Sequence, residues 1–214
     1  MMKRTISLFL TLLMCLSLCT MSAYAAEAAS LPFTDLTADH PRYEAIRSAY
    51  EKGLMIGEPD NTFRADETLT RGQAAMILWR LEGQPVVNFL MQYEDVSQDA
   101  WYAEAVRWAS AEKIVEGDGT HFAPEEAVTR EEAAAMFYRY VQYKGGGFQG
   151  MWMFLLRYED AAEISEWAYE PMCWLTMKGI YPVRTETTLD PASDATRGEI
   201  AEMLARLTDV LETE

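Results

Sequence analysis

Three short signals recur in the same order three times along the chain, and internal repetition of this kind constrains the architecture before anything else is read. An aromatic residue, one spacer and an aspartate open each copy: Phe33-Thr34-Asp35, Tyr93-Glu94-Asp95 and Tyr158-Glu159-Asp160. Gly57 follows Phe33 by the same 24 residues that separate Gly117 from Tyr93, and Val183 holds the nearly equivalent place after Tyr158. Phe63, Phe122 and Leu189 then each stand seven residues before a Thr-Arg pair, Thr70-Arg71, Thr129-Arg130 and Thr196-Arg197. The chain is a threefold repeat.

Each copy reads as helix, loop, helix. Trp101, Ala105, Val106, Trp108 and Ala109 recur at helical spacing in the second copy, with Ser97 or Asp99 as the expected cap. Tyr43, Ile46, Ala49, Tyr50 and Leu54 play that part in the first copy, and Trp167, Met172, Trp174 and Leu175 in the third. The second helix of each copy opens on a capping box, Thr70-x-x-Gln73, Thr129-x-x-Glu132 and Thr196-x-x-Glu199. The cap explains the threonines and the Gln or Glu, but not the arginines. Arg71, Arg130 and Arg197 occupy the first helical position, where the helix dipole disfavours a cation by about 0.3 to 1 kcal/mol. A carboxylate of the protein, such as the opening aspartate, would offset that penalty; so would an anionic ligand group shared with the helix amides.

These motifs together resemble the S-layer homology domain, most closely in the second copy with Tyr93, Asp95, Trp101, Gly117, Phe122, Pro124 and Thr129-Arg130-Glu131-Glu132. The resemblance implies a mainly all-α fold, with three helix-loop-helix repeats in a pseudo-threefold arrangement around a central helical bundle and grooves between neighbours. The expected repeats span 31–83, 91–144 and 158–211, joined before the last by a linker over 145–157. It also implies a secreted, non-catalytic module on the wall of a Gram-positive bacterium, binding secondary cell-wall polysaccharide linked to peptidoglycan, commonly pyruvylated. Carried onto this sequence, Arg71, Arg130 and Arg197 would face the ketal carboxylate. Asp35, Asp95 and Asp160 match the opening acid, Trp101 and Trp167 the sugar-packing aromatic, and Gly57 and Gly117 the turn where the backbone approaches ligand. A planar guanidinium suits a carboxylate, and an aromatic face suits the apolar side of a sugar ring.

Several positions depart from the pattern. Pro41 stands in copy one where copy two has Trp101, and Gln73 replaces a glutamate. Copy three has Pro182-Val183 where a glycine is expected, and Leu189 for phenylalanine. One or two competent grooves are therefore expected, with Val183 closing one and Arg130 the leading site residue. The second junction is six residues longer than the first and carries Gly145-Gly146-Gly147 followed by the apolar run Phe148 to Leu156. That run either packs over the repeats or offers a sticky patch to a partner protein or a membrane interface.

Acidic residues outnumber basic ones 34 to 18, a net charge of −16, so nucleic acid and anionic membrane are poor partners. Residues 1–25 read as a signal peptide: Lys3 and Arg4, an apolar run too short for a transmembrane span, and Ala23-Tyr24-Ala25 before the cleavage site. Lipidation at Cys19 is the minor alternative. Cleavage would remove Cys15 and Cys19 and leave Cys173 with no disulfide partner in the chain, expected as a buried small hydrophobe, with an intermolecular bridge as the alternative. His40 and His121 belong to no metal or nucleophile motif, Asp118-Gly119-Thr120 lacks the acids of a calcium loop, and no cofactor is expected. The alternatives to a wall tether are an extracellular helical adaptor for a partner protein and, third, a wall-glycan hydrolase. No cargo region is read after Leu211, so a stand-alone wall protein, a docking subunit or part of a split system is expected.

Overall fold

The computed structural model describes residues 31–150 and 154–213; the expected signal peptide lies outside the described residues. Six α-helices are present among them: α1 (Tyr43–Glu51), α2 (Arg71–Leu81), α3 (Ala103–Ala111), α4 (Arg130–Tyr143), α5 (Glu166–Met177) and α6 (Arg197–Thr213). The described residues contain no strand, only three isolated bridges, so the fold is all-α as expected. No described helix is long and apolar enough to cross a membrane.

Helices pack between repeats. α2 lies on α3, α4 on α5, and α6 returns to α1, so each copy's second helix covers the next copy's first and the chain of contacts closes on itself. Alanines make the close approaches possible: Ala74 and Ala75 on α2, Ala105 and Ala109 on α3, and Ala133 and Ala134 on α4 are fully buried. Larger side chains fill the remainder, with Trp108, Phe137, Ile46, Met172 and Leu175 almost without exposure. Cys173 is among them, fully buried, and burial pushes its thiol up to about 11.

The residues just before the three capping threonines tie the copies together. Val128 N–H donates to the Leu69 carbonyl (2.8 Å), Leu69 N–H to that of Ala195 (3.0 Å), and Ala195 N–H to that of Val128 (2.9 Å). This triangle of amides sits in a dry environment, since all three residues are buried. The first two amides of each second helix then donate across the same seams. Arg71 and Gly72 donate to the Glu126 and Pro124 carbonyls, Arg130 and Glu131 to Ser193 and Pro191, and Arg197 and Gly198 to Glu67 and Ala65. Helix-start amides that lack intrahelical partners are thus satisfied by the neighbouring copy's loop.

The first helix of the second copy departs from the sequence expectation. α3 begins only at Ala103 and has no side-chain cap, because Ser97 instead accepts from Asp99 N–H in a turn upstream. Trp101 consequently precedes the helix and stays 55% exposed. Within the Phe148 to Leu156 run, Met151 to Met153 lie outside the described residues, and the others divide between the two expected fates. Phe148 stacks beside Tyr138 and Leu156 is buried, whereas Leu155 is 72% exposed.

Candidate functional site

The loop between the helices of each copy is built on its opening aspartate. Asp35 accepts from Phe63 N–H (2.8 Å) and Arg64 N–H (2.7 Å). Asp95 does the same for Phe122 (2.9 Å) and Ala123 (2.7 Å), and Asp160 for Leu189 (2.9 Å) and Asp190 (2.6 Å). The second residue of each pair has positive φ, 59° at Arg64, 58° at Ala123 and 55° at Asp190, so the carboxylate holds a left-handed turn that a side chain resists. Burial pushes the Asp35 carboxyl up, but the two amides outweigh it and hold the group below the ordinary carboxylate range.

The glycines serve the same loops. A Cβ on Gly57 would lie 2.2 Å from the Phe33 ring, and one on Gly117 would lie 2.0 Å from the His121 carbonyl oxygen. The backbone must pass close to the opening aromatic, and at Gly117 the contact is fixed by its N–H donating to Tyr93 Oη (3.0 Å). In the third copy Tyr158 is only half-buried, and Val183 takes the place with its side chain 41% exposed.

Each arginine reaches into the loop of the next copy, not of its own. Arg71 Nε donates to the Phe122 carbonyl (2.9 Å) and Nη2 to that of Glu116 (2.8 Å), with the guanidinium 5.0 Å over the Phe122 ring. Arg197 repeats this with Phe63 (2.8 Å), Ile56 (2.9 Å) and the Phe63 ring (4.9 Å). Arg130 meets Leu189 and Pro182 carbonyls, and because Leu189 offers no ring it stacks at 4.9 Å on Tyr181, whose hydroxyl donates to the Leu189 carbonyl. Carbonyl oxygens therefore offset much of the dipole penalty at these helix starts.

The last guanidinium nitrogen distinguishes the copies. Arg71 Nη1 donates to Glu132 and Arg130 Nη1 to Glu199, both at 2.6 Å; each acceptor is the capping-box glutamate of the following copy. For Arg197 that position is Gln73, and the nearest carboxylate is Glu58 at 4.0 Å. Burial pulls the Arg197 guanidinium down, against the upward pull of Glu58 and Glu67.

Two clefts follow from this geometry. The first, about 400 Å³, is lined by Met55–Pro59, Gln73, Arg80, Trp101 and Arg197, so all three copies contribute. Its ionisable lining is two arginines against the single carboxylate Glu58, an unusual balance on a chain of net charge −16. Arg80 is part-buried, donates to the Leu54 carbonyl (3.3 Å) and forms no ion pair among the described residues. The second cleft, about 780 Å³, brings together Arg71, Gly117, Arg139, His121 and Trp167, but also Asp95, Glu116, Asp118, Glu126 and Glu132.

In the third set of equivalent residues the arginine is buried and fully paired. Arg130 is 1% exposed, Pro41 stands where the other two clefts have a tryptophan, and Arg184 places its Nε 2.6 Å from Glu199. The sequence expectation that Arg130 leads the site and that Val183 closes a groove concerned one and the same groove, because Arg130 faces the Pro182-Val183 loop. Sequence reasoning also missed Arg80 and Arg184. Arg184 carried a signal, a cation directly after the irregular Pro182-Val183 turn.

Burial pushes the Glu199 carboxyl up, but the Thr196 amide, Arg130 and Arg184 together hold it below the usual range. The unfolded chain binds a proton there more readily than the folded one, so Glu199 contributes stability above its ordinary value of 4.5 that is lost as pH falls through the lowered folded value. In acid denaturation followed by circular dichroism, Glu199→Gln should be less stable than wild type near neutrality and lose less on acidification. A parallel pair of pH curves would contradict the assignment.

The chain belongs to the S-layer homology domain family, whose model matches residues 32–75, 92–134 and 157–201 and so more than half of the chain. It is similar to the surface-layer 125 kDa protein of Lysinibacillus sphaericus, 29% identical over 170 residues that cover 76% of this chain and 14% of the relative. It is similar also to an amylopullulanase of Thermoanaerobacterium thermosulfurigenes, 27% identical over 187 residues covering 86% of this chain and 10% of that protein. The middle cell wall protein of Brevibacillus brevis matches at 29% over 156 residues, 71% of this chain and 14% of the relative. The chain thus spans only a small fraction of the length of these relatives.

Proposed function

We propose that the protein is a non-catalytic anchoring module of the cell surface, which holds secondary cell-wall polysaccharide non-covalently in clefts between its repeats. The same segment recurs in surface-layer proteins and in a glycan-degrading enzyme, proteins whose common need is attachment rather than chemistry. The carrying observation is the first cleft. Arg197 lines it together with exposed Trp101, and its nearest carboxylate, Glu58, stands off at 4.0 Å instead of the 2.6 Å found for the other two arginines. With Nε and Nη2 held by the Phe63 and Ile56 carbonyls, Nη1 is the guanidinium nitrogen left to meet a carboxylate such as a pyruvate ketal, and the indole takes the apolar side of the sugar ring. Trp167 and Arg71 give the second cleft the same pair of groups with more acid around them. The three aspartates and the two glycines act here through the loops they shape.

Sedimentation with purified Gram-positive cell wall tests this reading. The chain should pellet with intact wall and stay in solution with wall stripped of its secondary polysaccharide. Pelleting that ignores the polysaccharide would favour an adaptor for a wall protein. Trp101→Ala should weaken binding about tenfold, the loss of one sugar-packing aromatic, without lowering the melting temperature, because the ring is more than half exposed.

A further inference from the structure

We infer that Gln73 is the residue that selects the first cleft as the site for the anionic group, by withholding the carboxylate that neutralises the equivalent arginines elsewhere. This rests on the wall-anchoring reading and goes beyond it by naming which cleft takes the charge and why. The three capping boxes are almost superimposable in their bonding. Gln73 Oε1 accepts from Thr70 N–H at 2.9 Å, Glu132 Oε2 from Thr129 N–H at 2.9 Å, and Glu199 Oε2 from Thr196 N–H at 3.0 Å. A glutamate makes the same reciprocal cap and has a second oxygen to spare. That spare oxygen is what meets the preceding copy's arginine at 2.6 Å in the two glutamate copies.

A glutamine has one acceptor oxygen, already engaged by Thr70, and its other terminal atom is a donor. It offers Arg197 no negative charge to pair with. Arg197 is nevertheless 6% exposed and desolvated, held by the Phe63 and Ile56 carbonyls, with Gln73 and Arg80 lining the same cleft. A buried cation short of a counter-charge costs free energy in the empty protein and repays it when an anion arrives. In the second cleft Glu132 has already occupied Arg71, so an incoming carboxylate must displace it or meet its repulsion. The expected division is an anionic sugar substituent in the first cleft and uncharged parts of the glycan in the second.

The test compares Gln73→Glu with Gln73→Ala in the full chain, measuring binding to purified cell wall bearing its polysaccharide and thermal melting together. Gln73→Glu preserves the cap and supplies a partner for Arg197, so the melting temperature should hold or rise. Wall affinity should nonetheless fall about ten- to hundredfold, the worth of a charge-assisted contact. Gln73→Ala loses the cap and should melt lower, but it should lose clearly less affinity than Gln73→Glu, since it adds no negative charge. Equal affinity of wild type and Gln73→Glu overturns the selection role and leaves the anchoring reading intact. So does an equal loss in both variants, which would make the side chain itself a contact. Failure of the wild-type chain to bind wall at all would overturn both.

Discussion

Arg130→Ala should cost about 3 kcal/mol of folding stability, a large part of the roughly 5 to 15 kcal/mol that holds a domain of this size together. The substitution strands Glu199, which is 3% exposed and would keep only Arg184 as a counter-charge. It also leaves the Leu189 and Pro182 carbonyls without the guanidinium that crosses the seam between the second and third copies. Urea denaturation should show the midpoint falling with little change in slope. A melt within about 0.5 kcal/mol of wild type would mean that Arg184 alone satisfies Glu199 and that the buried pair is dispensable. Loss of wall binding in this variant is expected only in proportion to the unfolded fraction.

Arg197→Ala should show the opposite balance. No carboxylate is stranded, because the facing position is Gln73 and Glu58 keeps about a third of its side-chain exposure. The stability loss is therefore smaller, coming from the Phe63 and Ile56 carbonyls and the stacked ring. Wall affinity should drop by about ten- to hundredfold, as expected for a charge-assisted contact. Binding isotherms on purified wall, taken at a temperature where both proteins are folded, separate the two effects. Comparable affinities would move the anionic contact away from the first cleft.

The repeat, the helices and the caps were legible in the sequence because each depends on local spacing. Thr70, Thr129 and Thr196 begin their helices where the capping boxes place them. The grooves were not legible, because they depend on which copy meets which. Arginine and loop within one copy are neighbours in sequence, but Arg71 crosses to Phe122 and Arg197 to Phe63, 134 residues away. Residues that look equivalent by alignment therefore belong to clefts assembled from three copies. Pro41, Val183 and Arg184 all bear on a single groove, while Gln73, Trp101 and Arg197 converge on another. The role of the opening aspartates was hidden for a related reason. A carboxylate followed 28 to 30 residues later by a left-handed turn becomes a loop staple only once the chain has folded back.

The most direct measurement is the affinity of the wild-type chain for purified secondary cell-wall polysaccharide before and after its carboxylates are reduced to alcohols. Reduction should weaken binding at least about tenfold and remove most of its salt dependence, since the charge that Arg197 meets is gone. Equal affinity and unchanged salt dependence for the native and reduced polymers would contradict recognition of a carboxylate in the cleft.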